Sequence, residues 1–244
     1  MTIEQGRSPR TIEAYRRDLA SYEAFLVTKS CDVISAQSSV IEQFIASLRA
    51  EGKAAKSVAR MYAAVRMMHR YLVEERLRSD NPTSGVDGVK VPSGIPKALS
   101  EDEVARILAA ATGVDSFALR DRALLEFLYA TGARISEACG LSLSDLDMES
   151  QLVRLFGKGS KERIVPFGSH AKAALEDWLG SGGRTMLVPE QWAKRDHSDA
   201  VFLGARGTRL SRQAAWGIVR KYAQIAEVGD EVSPHVLRHS CATH

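Results

Sequence analysis

Apolar positions recur along most of this chain every three or four residues, the period of helices with one buried face. Ile12, Tyr15, Leu19, Tyr22, Phe25 and Leu26 define the first, opened by Ser8-Pro9 as an N-cap with proline at the first helical position. Arg10, Arg16, Arg17 and Asp18 then face water. Val40, Ile41, Phe44, Ile45 and Leu48 define a second helix, begun by a Ser39–Glu42 capping box and stopped by Gly52. A third, predicted from Lys56 to Leu77, buries Val58, Met61, Tyr62, Val65, Met68, Leu72 and Val73. It leaves Lys56, Arg60, Arg66, His69 and Arg70 outside. Periodicity then fails: Asn81-Pro82-Thr83-Ser84-Gly85, Gly88, Pro92, Gly94 and Pro96 read as an extended linker. The division expected is a helical unit over 1–84, a linker over 85–96 and a second domain over 97–244.

The second domain opens with a Ser100–Glu103 capping box and the apolar positions Val104, Ile107, Leu108 and Ala111. A central helix from Phe117 to Thr131 carries Leu124, Leu125, Phe127 and Leu128, and Gly132 ends it. Two β-like runs, 151–156 and 162–167, flank Gly157-Lys158-Gly159-Ser160-Lys161, a hairpin with a glycine-rich turn. A helix capped by Ser169 bears Ala174, Leu175, Trp178 and Leu179, and an irregular connection covers 180–199. A Ser211-capped helix carries Trp216, Ile218, Val219, Tyr222 and Ile225; Ser233-Pro234 opens the last, which runs to His244. The fold class predicted is mainly α with a small antiparallel β-sheet.

Composition narrows the function. With 244 residues and 45% hydrophobic content, the chain supports one large core or two smaller ones. No apolar run approaches a membrane span, and the first residues lack a signal-peptide pattern. Cys31, Cys139 and Cys241 are odd in number and far apart, fitting neither a disulfide framework nor a metal knuckle. A cytoplasmic protein without membrane contact is expected. The net charge of +3 lies wholly in residues 1–96, and the third helix has no acid between Glu51 and Glu74. Arg10, Arg16, Lys56, Arg60, Arg66 and Arg70, with Lys161 and Arg212 later, are candidate contacts to a duplex phosphate backbone; the plain alternative is a solvated surface.

Three separated signals carry chemistry. Arg134 follows the Gly132 helix stop with Glu137 three residues on, an anion clamp or a surface ion pair. Lys158 sits at the hairpin tip, and His235 and Arg238 share a helix face. His235 and His239 at i,i+4 lack the glutamate of a zinc protease and have a cation between them, so no metal is expected. His239 is instead read as a core or supporting histidine. Two arginines, a lysine and a histidine without an acidic cluster suit a phosphodiester. Arginine grips non-bridging oxygens with planar paired donors, and phosphoryl transfer depends on positioning and charge stabilisation. Arginines can take the place of divalent ions, lysine can protonate a leaving oxygen, and histidine can move a proton near neutrality. There is no Walker A sequence, so ATP is not implied.

The set Ala130-Thr-Gly-Ala-Arg134-Ile-Ser-Glu137, Gly157-Lys158-Gly-Ser-Lys-Glu-Arg-Ile-Val-Pro166 and Ser233-Pro-His235-Val-Leu-Arg238-His239, with Ala-Thr-His244, resembles the tyrosine recombinase (phage integrase) family, nearest to its Xer branch. The likeness extends from the first helix, Ser8-Pro-Arg-Thr-Ile-Glu-Ala-Tyr15, to the last residue. It implies an N-terminal helical, SAM-like core-binding domain and a catalytic domain that close on duplex DNA as a C-shaped clamp. It also implies a paired recombinase protomer in a four-protomer synapse, with neither metal nor any other cofactor. Arg134 and Arg238 would grip the scissile phosphate, with Glu137 supporting Arg134; Lys158 would protonate the departing 5′ oxygen, and His235 would assist proton transfer to or from the nucleophile. In the family a tyrosine beyond the His-x-x-Arg helix forms a 3′-phosphotyrosyl link. Tyr15, Tyr22, Tyr62, Tyr71, Tyr129 and Tyr222 all precede that helix, so this chain is expected to lack its nucleophile and to be a fragment. The role expected is resolution of chromosome dimers at cell division. A phage or mobile-element integrase, or a non-catalytic helical DNA-binding protein, are the alternatives.

Overall fold

The computed structural model describes residues 9–91, 98–157, 161–229 and 232–244, and the chain separates into two compact units, Met1–Gly94 and Ile95–His244. Ser8, the side chain of Arg10, residues 92–96 of the expected linker, and Lys158 lie outside what is described.

The first unit packs α1 (Pro9–Thr28), α2 (Ser38–Ala50) and α3 (Ala55–Glu74) around Tyr22, Leu26, Ile41, Phe44, Val58 and Val65. Tyr22 and Phe44 meet with ring centroids 5.0 Å apart, an aromatic pair that adds to their burial. Val86 and Val89, inside the expected linker, also pack here, and the Tyr62 hydroxyl donates to the Val86 carbonyl at 2.9 Å.

Several expectations for this unit need correction. The Ser39–Glu42 box does not form: α2 begins one residue earlier, behind Gln37, without a side-chain cap. The adjacent Ser38 hydroxyl donates instead to the Pro82 carbonyl at 2.8 Å. The third helix stops at Glu74 rather than Leu77, and Met68 and Val73 are half-buried. Asp18 is buried, not solvated, because Arg60 from α3 crosses to pair with it. His69 is fully buried rather than exposed. It continues the stripe of Val58, Met61, Tyr62, Val65 and Leu72 at helical spacing, so its position on the helix decides its burial.

The His69 Nε2 lies 3.1 Å from the Tyr22 hydroxyl, while its Nδ1 has no partner. Burial, then the Arg78 charge, lowers its pKa to about 4 from the ordinary 6.5. Folding therefore favours the neutral ring. Stability of this unit is complete above pH 6.5 and falls as the pH drops toward 4, because the unfolded chain takes the proton first. The loss should be on the order of 1–3 kcal/mol. Urea unfolding across that range reads it, and His69→Phe should flatten the slope. An unchanged slope in the variant would remove His69 as its source.

The second unit is organised on α5 (Ser116–Thr131), where Asp115 caps the start and Gly132, with φ of +54°, ends the helix in the left-handed region. Ala123, Leu124, Leu125 and Phe127 are fully buried, and even Arg120 and Asp121 are enclosed, paired at 2.6 Å. Before it runs α4 (Glu101–Ala109), with the Ser100–Glu103 capping box formed as expected. After it come the short α6 (Ile135–Gly140) and an antiparallel sheet ordered β1 (Leu146–Asp147), β2 (Leu152–Phe156), β3 (Glu162–Pro166). The two-residue β1 is too short to show a period, so the sequence reading missed it. Leu155 pairs with Arg163 and Val153 with Val165 across β2 and β3, which sets Val153, Leu155, Arg163 and Val165 on the inward face.

The remaining helices are α7 (Ser169–Leu179), α8 (Arg212–Ile225) and α9 (Pro234–Thr243). Ser169 is not the cap expected of it: it is the first helical residue, and Gly168 before it has no side chain to cap with. Trp178 is fully buried, its Nε1 donating to the Val201 carbonyl at 2.9 Å. Ser211 does cap α8, but Trp216 and Ile225 are 42% and 57% exposed, contrary to expectation. The buried stripe runs through Ala215, Ile218, Val219, Tyr222 and Ala223, and Trp216 turns off it to lie against the Arg220 guanidinium, 5.0 Å from the ring centre. The connection over 180–199 holds two single 3-10 turns, Arg184–Leu187 and Arg195–His197. Among the described residues no helix is long and apolar enough to cross a membrane.

Candidate active site on Glu137

Gly132 is where the site begins. Its left-handed backbone turns the chain out of α5, and a Cβ there would sit 3.3 Å from the Cys241 Sγ on α9. Glycine thus both ends α5 and lets α9 approach. Two residues on, Arg134 stands just ahead of α6, and the Glu137 carboxylate reaches back to accept its backbone N–H at 2.8 Å. Only 2% of the Glu137 side chain is exposed.

Three guanidinium groups surround that carboxylate. Arg134 Nη1 donates to Oε1 at 2.8 Å. Arg163, from the inward face of β3, donates Nη1 to Oε1 at 2.8 Å and Nη2 to Oε2 at 2.7 Å. Arg238, from α9, approaches Oε2 only to 3.8 Å with its Nη1, which is buried and has no hydrogen-bond partner among the described residues. Burial by itself raises the Glu137 carboxyl, but the hydrogen bonds from Arg163 and from the backbone and side chain of Arg134 outweigh it and bring the pKa to about 2. Arg163 is pushed up by its hydrogen bond to Glu137. Arg238 is pulled down by burial and by the Arg134 charge. Three fixed positive charges against one negative leave a local excess suited to an anionic oxygen.

The orientation of α9 is set from several sides. Ser233 caps it, with Pro234 at its first position, as expected. Leu237 is fully buried, and the Ser240 hydroxyl accepts the Leu99 backbone N–H at 2.9 Å while donating to the Val236 carbonyl. His244 bridges the Leu99 carbonyl at Nε2 (3.1 Å) and the Tyr129 hydroxyl at Nδ1 (2.9 Å). A carbonyl only accepts, so Nε2 carries the proton and Nδ1 accepts from the tyrosine.

Of the residues expected from sequence, Arg134, Glu137 and Arg238 are brought together. Lys158 lies outside the described residues, but its neighbour Gly157 is beside the cluster: a Cβ there would be 3.6 Å from Glu137 Oε1 and 3.7 Å from Arg134 Nη1. His235 is exposed one turn before Arg238. His239 is also exposed, which corrects its reading as a core histidine; at that register α9 buries Val236, Leu237 and Ser240 instead. Arg16, Lys56, Arg66, Lys161 and Arg212 are exposed, Arg70 is paired with Glu74 at 3.2 Å, and Arg60 is engaged by Asp18. Arg163 was missed. Its signal was the alternation of Arg163 and Val165 against Glu162 and Ile164, which marks one face of β3 as inward.

Comparison with known proteins bears on the chain's family and fold. The description "Phage integrase family" matches residues 97–244, and "Phage integrase, N-terminal SAM-like domain" matches residues 1–76. A tyrosine recombinase XerD from Bifidobacterium longum (strain NCC 2705) is 41% identical over 248 residues, covering 99% of this chain and 80% of that protein. One from Chlorobaculum tepidum is 41% identical over 247 residues, covering 100% of this chain and 79% of its own length. Among solved structures, XerH site-specific recombinase bound to palindromic difH substrate superposes with a TM-score of 0.75 at 20% identity, over 95% of this chain and 67% of that one. A lambda integrase dimer bound to a COC′ core site gives 0.73 at 18% identity, over 98% and 80%. These two bear on the fold; the sequence relatives bear on the family. The chain belongs to the phage integrase family of site-specific tyrosine recombinases, on its Xer branch.

Proposed function

We propose that this chain is the DNA-gripping and phosphate-activating part of a recombinase that cuts and rejoins duplex DNA through a 3′-phosphotyrosyl intermediate. The observation that carries this reading is the buried, unpartnered Arg238 Nη1 beside a Glu137 already saturated by Arg134 and Arg163. Arg134 and Arg238 hold the non-bridging oxygens of the scissile phosphate and stabilise the charge that grows on them. As a tyrosine oxygen bonds to phosphorus, the bond to the 5′ oxygen breaks. Lys158 gives that oxygen a proton, and His235 handles the tyrosine's own proton. The reverse attack by a 5′ hydroxyl releases the tyrosine and rejoins a strand, so neither metal nor nucleotide is required.

The partners proposed are duplex DNA and a second recombinase protomer, four protomers acting at one synapse in the cytoplasm. Arg16, Lys56, Arg66, Lys161 and Arg212 are exposed and suited to backbone phosphates. Arg10 belongs to the same group by sequence, whereas Arg60 and Arg70 contribute less because carboxylates hold them. The role proposed is resolution of chromosome dimers at cell division; the likeness to tyrosine recombinase XerD supports the recombination it requires. The domain division proposed remains 1–84, 85–96 and 97–244.

The attacking tyrosine is proposed not to be among the six present. Tyr22, Tyr62 and Tyr222 are buried in the cores, and the Tyr129 hydroxyl is held by His244. A nicked suicide duplex should therefore be retarded by this 244-residue chain in a gel without forming a covalent band. A covalent band would place the nucleophile among these residues. Appending a family segment that bears the tyrosine after His244 should restore the covalent product. A fusion that binds the duplex and never forms it would favour a non-enzymatic DNA-binding protein.

A further inference from the structure

A carboxylate offers about four lone-pair sites, and Glu137 has all of them filled. Oε1 accepts from Arg134 Nη1 and Arg163 Nη1, and Oε2 from the Arg134 backbone N–H and Arg163 Nη2. Arg163 alone supplies two of the four, as a planar pair matched to the carboxylate. The consequence falls on Arg238. Its Nη1 is 3.8 Å from Oε2, near enough to feel the charge and too far to hydrogen-bond, and it is buried with no other acceptor among the described residues. A buried guanidinium N–H without a partner is costly in a folded protein, and it would close on a carboxylate that had a site to spare.

We infer that Arg163 is a positioning residue for Arg238. By holding both oxygens of Glu137, it keeps that carboxylate from capturing Arg238 and leaves the guanidinium, with about a third of its side chain exposed, unclaimed for a phosphate oxygen. The inference rests on the phosphate-binding reading above and assigns the selection of the free arginine to β3. The same pair ties β3 to α6.

Guanidinium-proton NMR of Arg238 during titration with inorganic phosphate tests this on the chain as it stands. Wild-type protein should show a saturable shift. Arg163→Met should weaken the phosphate affinity read at Arg238 by about tenfold or more, because Arg238 is then held by Glu137. Arg163→Lys, with the charge but without the planar pair of donors, should fall between. Adding Glu137→Gln to Arg163→Met should restore the response, since a neutral amide competes poorly for Arg238; a hairpin that had merely come undocked would not be rescued this way. A crystal structure of Arg163→Met should show Arg238 and Glu137 within hydrogen-bonding distance. An undiminished response in Arg163→Met, or a folded double variant without rescue, overturns the inference. A wild-type Arg238 that ignores phosphate overturns the phosphate-site reading instead, and the Arg163→Met crystal structure then still decides whether Glu137 closes.

Discussion

Replacing Arg134 with alanine in the tyrosine-bearing fusion should slow strand cleavage by about a thousandfold, while affinity for the duplex changes less than about tenfold. The asymmetry follows from where the guanidinium sits. Its Nη1 is committed to Glu137 at 2.8 Å, which fixes the group's plane, and about half of the side chain remains open. A preoriented cation of this kind stabilises charge that develops on the phosphate in the transition state; in the ground state it is one cation among many along the backbone. Arg238→Lys should behave alike. Lysine keeps the charge but loses the planar fork, and its ammonium cannot present the donor that Arg238 holds free. Suicide-substrate cleavage rates and gel-shift affinities, measured on the same preparations, separate the two quantities. Equal losses in rate and affinity would make these arginines anchors on DNA with no special part in cleavage.

Glu137→Ala should destabilise the second unit by about 3–5 kcal/mol, the cost expected when one partner of a buried ionic cluster is removed. Arg134, Arg163 and Arg238 would then repel one another across the vacated carboxylate, and the Arg134 backbone N–H would lose its acceptor. Glu137→Gln should cost less, because an amide oxygen still accepts. The same carboxylate predicts acid sensitivity. Its folded pKa of about 2 lies below the ordinary 4.5, so the stability it contributes is complete above pH 4.5 and lost as the pH falls through about 2. Denaturant melts of wild type and Glu137→Gln between pH 7 and pH 2 check this. Wild type should lose its advantage in the acid range, and an advantage that persists at pH 2 would show the carboxylate is not its source.

Much of the architecture is legible in one dimension because local chemistry acts over a few residues. The Ser100–Glu103 box, the Gly132 stop and the Ser211 and Ser233 caps all depend on groups within about one turn of one another and form as read, and the β2–β3 strands pair as expected from their short separation. Other readings fail where a distant group or the helical register decides what a residue meets. Ser38 gives its hydroxyl to Pro82, forty-four residues away, and the expected box beside it is absent. Asp18 is buried because Arg60 crosses from α3, and His69 because its helical register faces Tyr22. Each long-range partner outweighs a local preference worth about a kilocalorie.

The site divides in the same way. By itself, the sequence determined that Arg134 follows a helix stop with Glu137 one turn on and that His235 and Arg238 share a helix, and it led to Lys158 being expected at a hairpin tip; its motifs carried the family resemblance. Only the tertiary structure decided which arginine is free. That choice depends on Arg163 crossing from β3, on Gly132 admitting α9, and on a single carboxylate having too few lone pairs for three guanidinium groups. Hydrogen-bond capacity is counted in space, among side chains that up to about a hundred residues of chain separate, and no local period records it.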